Sequence, residues 1–381
     1  MTDTTATLAN WRQSPFNTWS FGHVDKLIPV ANISAATASP LLLGSALNTT
    51  TITAQFENRS WSFDDVLAET ETDGLLVLHK GRIVHECYRN GAADTRHILF
   101  SVSKSVTGIL AGILVADGTL NPEAAVTYYV PEVAGSAYGN ATVRHVLDMT
   151  VGISFDEDYL DAKGAFARYR AATGWNPPSP HFTKEGLHQF LATLPPDGKP
   201  HGDTFHYVSP NSDLLGWIIE RAGKVPLPQQ LSQRLWQPMG AGHDAYVTVD
   251  AHGASRTAGG ICVTLRDLAR LGEMVRQTGK ANGQQVVPES WIADMWAKGD
   301  PRAWAKGDMV NLFPKGRYRS QWYVSDEVGT ALCAIGIHGQ WIYIDPKEEL
   351  VIVKQSSQRL PSDLRSDLLT LALFQTIART I

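Results

Sequence analysis

Cysteine is scarce in this chain of 381 residues: Cys87, Cys262 and Cys333 stand alone and far apart. An odd number at no metal-binding spacing excludes a disulfide framework and a thiolate metal site, and reads as buried thiols in a reducing compartment. Long hydrophobic runs are also missing. The longest, near Ile109 to Ala116, is far too short to cross a membrane and is broken by Gly112. Charge of one sign is nowhere concentrated: 33 basic residues face 38 acidic ones, for a net charge of −5. A nucleic-acid partner would require a basic face, and none is visible. Met1 to Phe21 lacks a basic start followed by an apolar stretch, so no secretory leader is expected and a cytoplasmic location follows. Three familiar motifs are absent as well: the Gly-x-Ser-x-Gly elbow, the Gly-x-x-x-x-Gly-Lys-Ser/Thr loop and the His-Glu-x-x-His pair. A conventional α/β-hydrolase, a P-loop enzyme and a zincin are thereby set aside. His201 and His206 lie near Asp203 but lack a paired fourth ligand, and read as polar loop residues. No metal or cofactor is expected.

What the chain does have is patterning. Its 43% hydrophobic content is ordinary for a globular protein, and its length suits two domains or one domain with an insertion. Residues 1–60 are rich in Thr, Ser, Asn and Ala, with weak periodicity, and read as an extended arm on the surface. Leu75 to Leu78, Lys80-Gly81 and Ile83 to His85 predict a β-hairpin, Gly81 supplying the positive φ of a tight turn. From Ser101 to Asp117 the apolar positions Val102, Val106, Ile109, Leu110, Ile113 and Leu114 share one helical face, and Gly118 is placed to end that helix. Helical patterns recur at Thr142–Met149, Lys184–Thr193, Ser212–Ala222 and Thr264–Arg276. Strands are predicted at Gln321–Val324, Ala331–Ile335, Trp341–Ile344 and Leu350–Gln355, before a final helix from Asp363 to Arg379. This order predicts one sheet built from both ends of the chain with a helical insertion. The expected α/β (α+β) domain is discontinuous, residues 1–104 with 277–381, and the mostly helical domain is 105–276.

Only one lysine has a serine three positions before it: Lys104, in Ser101-Val102-Ser103-Lys104. On a helix these positions share a face, so a hydroxyl and an amine can meet. A serine hydroxyl attacks poorly until a base takes its proton. Burial and the positive end of a helix both disfavour an ammonium, so the lysine can be that base. The helix start also aims the Ser101 N–H at any oxyanion formed there. Ser103 and Ser105 are rival nucleophiles without the lysine spacing. A proton carrier is still needed, and Tyr207 is the candidate: Tyr207-Val208-Ser209-Pro210-Asn211 marks a turn opening a helix. In Gly336-Ile337-His338-Gly339, glycines within a predicted strand mark close backbone approach, and the Ile337 N–H becomes the second oxyanion donor.

These separated motifs agree in order. Phe100-Ser101-Val102-Ser103-Lys104-Ser105, Thr142 to Met149, Asp156 to Tyr159, Tyr207 to Asn211, Gly259-Gly260-Ile261-Cys262 and Gly336 to Gln340 together resemble the class C β-lactamase and penicillin-binding-protein group. Within it, the chain is most similar to the 6-aminohexanoate-dimer hydrolases and their carboxylesterase relatives. The resemblance implies a β-lactamase/transpeptidase-like fold, with an antiparallel sheet flanked by helices from both termini and a site between sheet and helical domain. It carries Ser101, Lys104 and Tyr207 over as catalytic, with the N–H groups of Ser101 and Ile337 as oxyanion hole. Tyr159 matches a substrate-contacting tyrosine; Trp175, Ser209 and His338 are expected beside it.

The chain also departs from the wider group. Ala334-Ile335-Gly336 stands where Lys-Thr-Gly is usual, and Ser209 replaces an asparagine. Without that lysine, a β-lactam or peptidoglycan carboxylate loses a partner. The expectation is therefore a serine hydrolase cleaving carboxylic esters and small linear amides through an acyl-enzyme on Ser101. The rival readings are a β-lactamase or D-Ala-D-Ala peptidase, and a non-catalytic ligand-binding relative. The partner is a small-molecule ester or amide, with no nucleic acid or membrane; a homodimer is compatible with the sequence. Asp156, Glu157, Asp158 and Asp161 could attract an amino-terminated substrate, but read more simply as a solvated acidic loop.

Overall fold

The computed structural model describes residues 5–161, 163–177, 185–326 and 330–381. Eight strands form the main sheet: β1 Leu42–Leu43, β2 Thr72–His79, β3 Arg82–Tyr88, β4 Arg317–Arg319, β5 Trp322–Val324, β6 Leu332–Gly336, β7 Gln340–Asp345 and β8 Leu350–Ser356. Their order across the sheet is β4-β5-β6-β7-β8-β2-β3-β1, so strands from the two ends of the chain meet where β8 pairs antiparallel with β2.

The unbroken apolar runs in these strands arise because both faces are covered. Leu76, Leu78, Ile342, Ile344, Val351 and Val353 point into one core with Leu268, Leu271 and Met274 of the helix Leu265–Arg276. Leu75, Val77, Trp341, Tyr343, Leu350 and Ile352 point into the other with Phe374 and Ile377 of the C-terminal helix Leu364–Thr380. The strand period of two thus sorts each run between two helices. Among the described residues, no helix is long and apolar enough to cross a membrane.

The helix Val102–Ala116 departs from the one-faced expectation: twelve of its fifteen residues are buried. Gly108 and Gly112 allow this, since a Cβ on Gly108 would lie 2.3 Å from the Ser320 carbonyl and one on Gly112 2.3 Å from the Trp291 ring. The helix is a central post rather than an amphipathic surface element. The predicted helix at Lys184–Thr193 is shorter, Leu187–Leu191; Lys184 itself lies outside the described residues.

Two local expectations are corrected. The N-terminal segment is not a surface arm: Trp11, Phe21 and Val24 are buried, and Asn17–Ser20 is a helical turn. Its aromatic residues were too sparse to register as a periodic pattern, yet they pack on Phe100 and Trp175. Gly336-Ile337-His338-Gly339 is not the interior of a strand. β6 ends at Gly336 and β7 starts at Gln340, and the turn between them has positive φ at His338 (58°) and Gly339 (81°). Gly336 pairs with Gln340, so Ile337, His338 and Gly339 form a three-residue hairpin loop, and its left-handed residues reverse the chain.

Candidate active site

The chain reaches the site along a short second sheet, in which His97–Ile98 pairs with Ile261–Val263. It then reverses at Phe100, which is left-handed at φ 43°. That conformation costs roughly 1–2 kcal/mol for a residue with a Cβ. The Phe100 ring is held between Phe21 at 4.9 Å, His338 at 5.2 Å and Trp11 at 6.3 Å. The turn leaves Ser101 as N-cap of the central helix.

Lys104 lies one helical turn on, 1% exposed. Its Nζ is 2.7 Å from Ser101 Oγ, 2.8 Å from the Ala258 carbonyl and 3.1 Å from Ser209 Oγ. The direction of these bonds follows from the partners. The carbonyl of Ala258 can only accept. Ser209 Oγ donates to Glu157 Oε1 at 2.7 Å, so it too accepts from the amine. A neutral amine has two N–H groups and one lone pair. With both N–H groups committed, the lone pair is left facing the Ser101 hydroxyl. Burial pushes the Lys104 pKa down to about 8, against the opposing pull of Glu157. Ser103 and Ser105 are spent elsewhere: Ser103 Oγ accepts from Ile261 N, and Ser105 Oγ donates to the Gln321 carbonyl.

The Tyr207 ring stands 4.9 Å from Lys104 Nζ and is stacked on Tyr323. Its hydroxyl interacts with those of Ser101 and Tyr323, while burial, reinforced by Glu157, holds the phenol well above its usual pKa. It is therefore a neutral phenol that can accept one proton and donate another. On the opposite side, Gly336 lies so close that a Cβ there would be 2.6 Å from the Leu99 carbonyl and 3.1 Å from Ser101 N. This contact brings the start of the β6–β7 turn beside the Ser101 N–H, and Ile337, next along the chain, lines the same cavities as Ser101. The N–H groups of Ser101 and Ile337 are suited to hold a carbonyl oxygen as it gains charge.

The predicted substrate residues occupy this neighbourhood in different ways. Tyr159 and Trp175 line a cavity of about 760 Å³ that opens at Ser101. The Tyr159 hydroxyl donates to Glu157 at 2.6 Å, and the Trp175 indole donates to Thr248 Oγ1 at 3.1 Å. Ser209 bridges Lys104 and Glu157. His338 lines the cavity but is 2% exposed, its Nδ1 is bonded to the Gln358 carbonyl, and burial lowers its pKa to about 4. It is a neutral packing group under Phe100 more than a free contact.

Three residues that build the surroundings of Lys104 were not legible in the sequence. Glu157 is not solvated with its acidic neighbours: it accepts from Ser209 N, Ser209 Oγ and the Tyr159 hydroxyl. Asp213 pairs with Arg256 and accepts from Ala258 N at 2.7 Å, which fixes the carbonyl that Lys104 needs. Asp213 falls four residues after Ser209 on one helix, and its charge inside an apolar pattern was a usable signal. Glu157 gave none, because the partner that ties it to Lys104, Ser209, lies 52 residues away. Among the described residues no cluster of His, Cys, Asp and Glu is arranged to hold a metal ion. His206 instead bonds Asp308 and the Phe155 carbonyl.

Comparison with known proteins gives a consistent result. The beta-lactamase family model matches residues 63–375. A 6-aminohexanoate-dimer hydrolase from Paenarthrobacter ureafaciens is 37% identical over 360 residues, covering 92% of this chain and 88% of that protein. A solved structure from Bacillus anthracis, named as a candidate 6-aminohexanoate-dimer hydrolase, superposes with a TM-score of 0.90 at 23% identity, covering 99% of this chain and 97% of its own. A family VIII carboxylesterase structure has a TM-score of 0.59 at 15% identity, over 87% of this chain and 99% of its own.

Proposed function

The chain belongs to the beta-lactamase family of hydrolases, and on that premise we propose that it is a serine hydrolase acting on carboxylic esters and small linear amides through an acyl-enzyme on Ser101. The observation that carries this reading is the placement of Lys104 Nζ, 2.7 Å from Ser101 Oγ with the Ala258 carbonyl and Ser209 Oγ as its other partners; once the amine is neutral, those two take its N–H groups and the lone pair is free for the Ser101 proton. Lys104 draws off the Ser101 proton as Oγ attacks the carbonyl carbon. The N–H groups of Ser101 and Ile337 take up the charge on the carbonyl oxygen. Tyr207 hands a proton to the departing alcohol or amine and regains one from Lys104, so that the serine proton ends on the leaving atom; water then releases the acyl group by the reverse sequence. Ala334, where the wider group has a lysine, supports this over β-lactam cleavage.

Labelling with a serine-reactive fluorophosphonate tests the assignment. Mass spectrometry is expected to find one adduct, on Ser101, and none in Ser101→Ala. An adduct on Ser103, or labelling that survives in Ser101→Ala, overturns it.

The pH profile gives an independent check. The free amine is the active form, so kcat/KM is expected to rise with pH through an apparent pKa near 8. Glu157 favours the ammonium. Glu157→Gln should therefore move this limb to lower pH. A limb that stays in place, or moves up, shows that the carboxylate does not act on the amine.

A further inference from the structure

Two cavities meet at Ser101, and their walls carry opposite charge. The larger, about 760 Å³, is lined by Arg12, Arg170 and Arg256. The smaller, about 280 Å³, is lined by Asp156, Asp308 and Asp367 together with Tyr207. Glu157 borders both, engaged by Ser209 and Tyr159.

Among the described residues, the three arginines have one carboxylate at ion-pair distance, and Glu157 attracts Arg256 from farther off. Arg256 pairs with Asp213. Arg12 donates to the Trp175 carbonyl at 2.9 Å and to Asn176 Oδ1 at 2.7 Å. Arg170 donates to the carbonyls of Tyr159 at 3.2 Å and Asp161 at 3.1 Å. These acceptors are neutral. Among the described residues, neither Arg12 nor Arg170 has a carboxylate at ion-pair distance, although Asp161 and Asp158 act on Arg170 from farther off. The Nε atoms of Arg170 and Arg256 are buried without a hydrogen-bond partner. Burial, with repulsion from Arg170 and Arg256, pushes the Arg12 pKa down to about 9. Like charges gathered on one partly desolvated wall are costly, and an entering anion relieves that cost. A fourth arginine at the rim, Arg359, is occupied by Glu71.

Tyr207 lines the smaller cavity and not the larger. As the proposed donor to the departing atom, it places the leaving group in the smaller cavity and the acyl half in the larger. We infer that the acyl half of the substrate ends in a carboxylate held by Arg12, Arg170 and Arg256, which makes the substrates monoesters or monoamides of short dicarboxylic acids. This rests on the serine-hydrolase reading and sets the chain apart from hydrolases of amino-terminated amides. In the reaction Ser101 Oγ bonds the acyl carbon, the bond to the leaving oxygen or nitrogen breaks, and the serine proton goes to that atom. Water then adds to the acyl carbon, restores the serine hydroxyl and frees the dicarboxylate.

The test compares three p-nitrophenyl esters of matched length, corrected for spontaneous hydrolysis: pentanoate, monoglutarate and 5-aminopentanoate. The glutarate ester should exceed the pentanoate ester in kcat/KM by about tenfold or more, and the aminopentanoate ester should fall below both. In Arg170→Met the glutarate-to-pentanoate ratio should drop towards one, and in Arg170→Asp it should invert. Free glutarate should inhibit the unaltered enzyme competitively at concentrations where pentanoate does not, a readout that needs no variant. Turnover of the pentanoate ester without anion preference overturns this inference and leaves the serine-hydrolase reading standing. No turnover of any ester, with no phosphonate adduct, removes both.

Discussion

Lys104→Met should lower kcat/KM for a neutral p-nitrophenyl ester by about 10³-fold, within the 10²–10⁴ range typical of a lost general base. Methionine nearly fills the lysine's volume, so the central helix keeps its packing. It lacks the amine, so the Ser101 hydroxyl has no proton acceptor. The Ala258 carbonyl and Ser209 lose a donor as well, at about 1–3 kcal/mol of stability for the unmet buried groups. Thermal melting alongside kinetics separates the two effects: a modest fall in Tm with near-complete loss of turnover is expected. An enzyme that folds and keeps more than a tenth of its activity would remove the amine from the mechanism.

Gly336→Val should cost about 10²–10³-fold in the rate of acylation, the usual effect of losing one oxyanion donor. A side chain there must clear the Leu99 carbonyl, the Ser101 N–H and the Gln340 Cβ, at 2.6, 3.1 and 3.1 Å from the added carbon. Two of these are backbone atoms that cannot step aside, so β6 must move. The Ile337 N–H, next along the chain, moves with it. Pre-steady-state burst kinetics would show a slowed burst. A burst of unchanged rate in a folded variant would mean that the Ile337 N–H does not hold the oxyanion.

Legibility in the sequence followed the range of the interactions. Leu75 to Leu78 announced a strand because a continuous apolar run that short is hard to bury any other way. Ser101 and Lys104 could be paired because helix geometry alone fixes their separation. Neither argument reaches across the chain. The one-faced pattern on Val102–Ala116 could not disclose that Gly108 and Gly112 let the helix sink among Ser320, Gln321 and Trp291. Glycine signalled close approach correctly, at Gly336 where β6 ends, but a strand interior and a hairpin turn look alike when the turn residue is histidine. Glu157 and Arg256 read as ordinary charges because their partners, Ser209 and Asp213, are 52 and 43 residues distant.

The packing of buried Trp11 and half-buried Arg12 against Trp175 has an evolutionary consequence. These two residues precede position 63, where the family match begins. Part of the wall of the cavity at Ser101, Arg12, is thus written outside the stretch that the family model matches. Selectivity can drift through that opening segment while the reacting trio stays untouched, so relatives with the same signature need not share a diet.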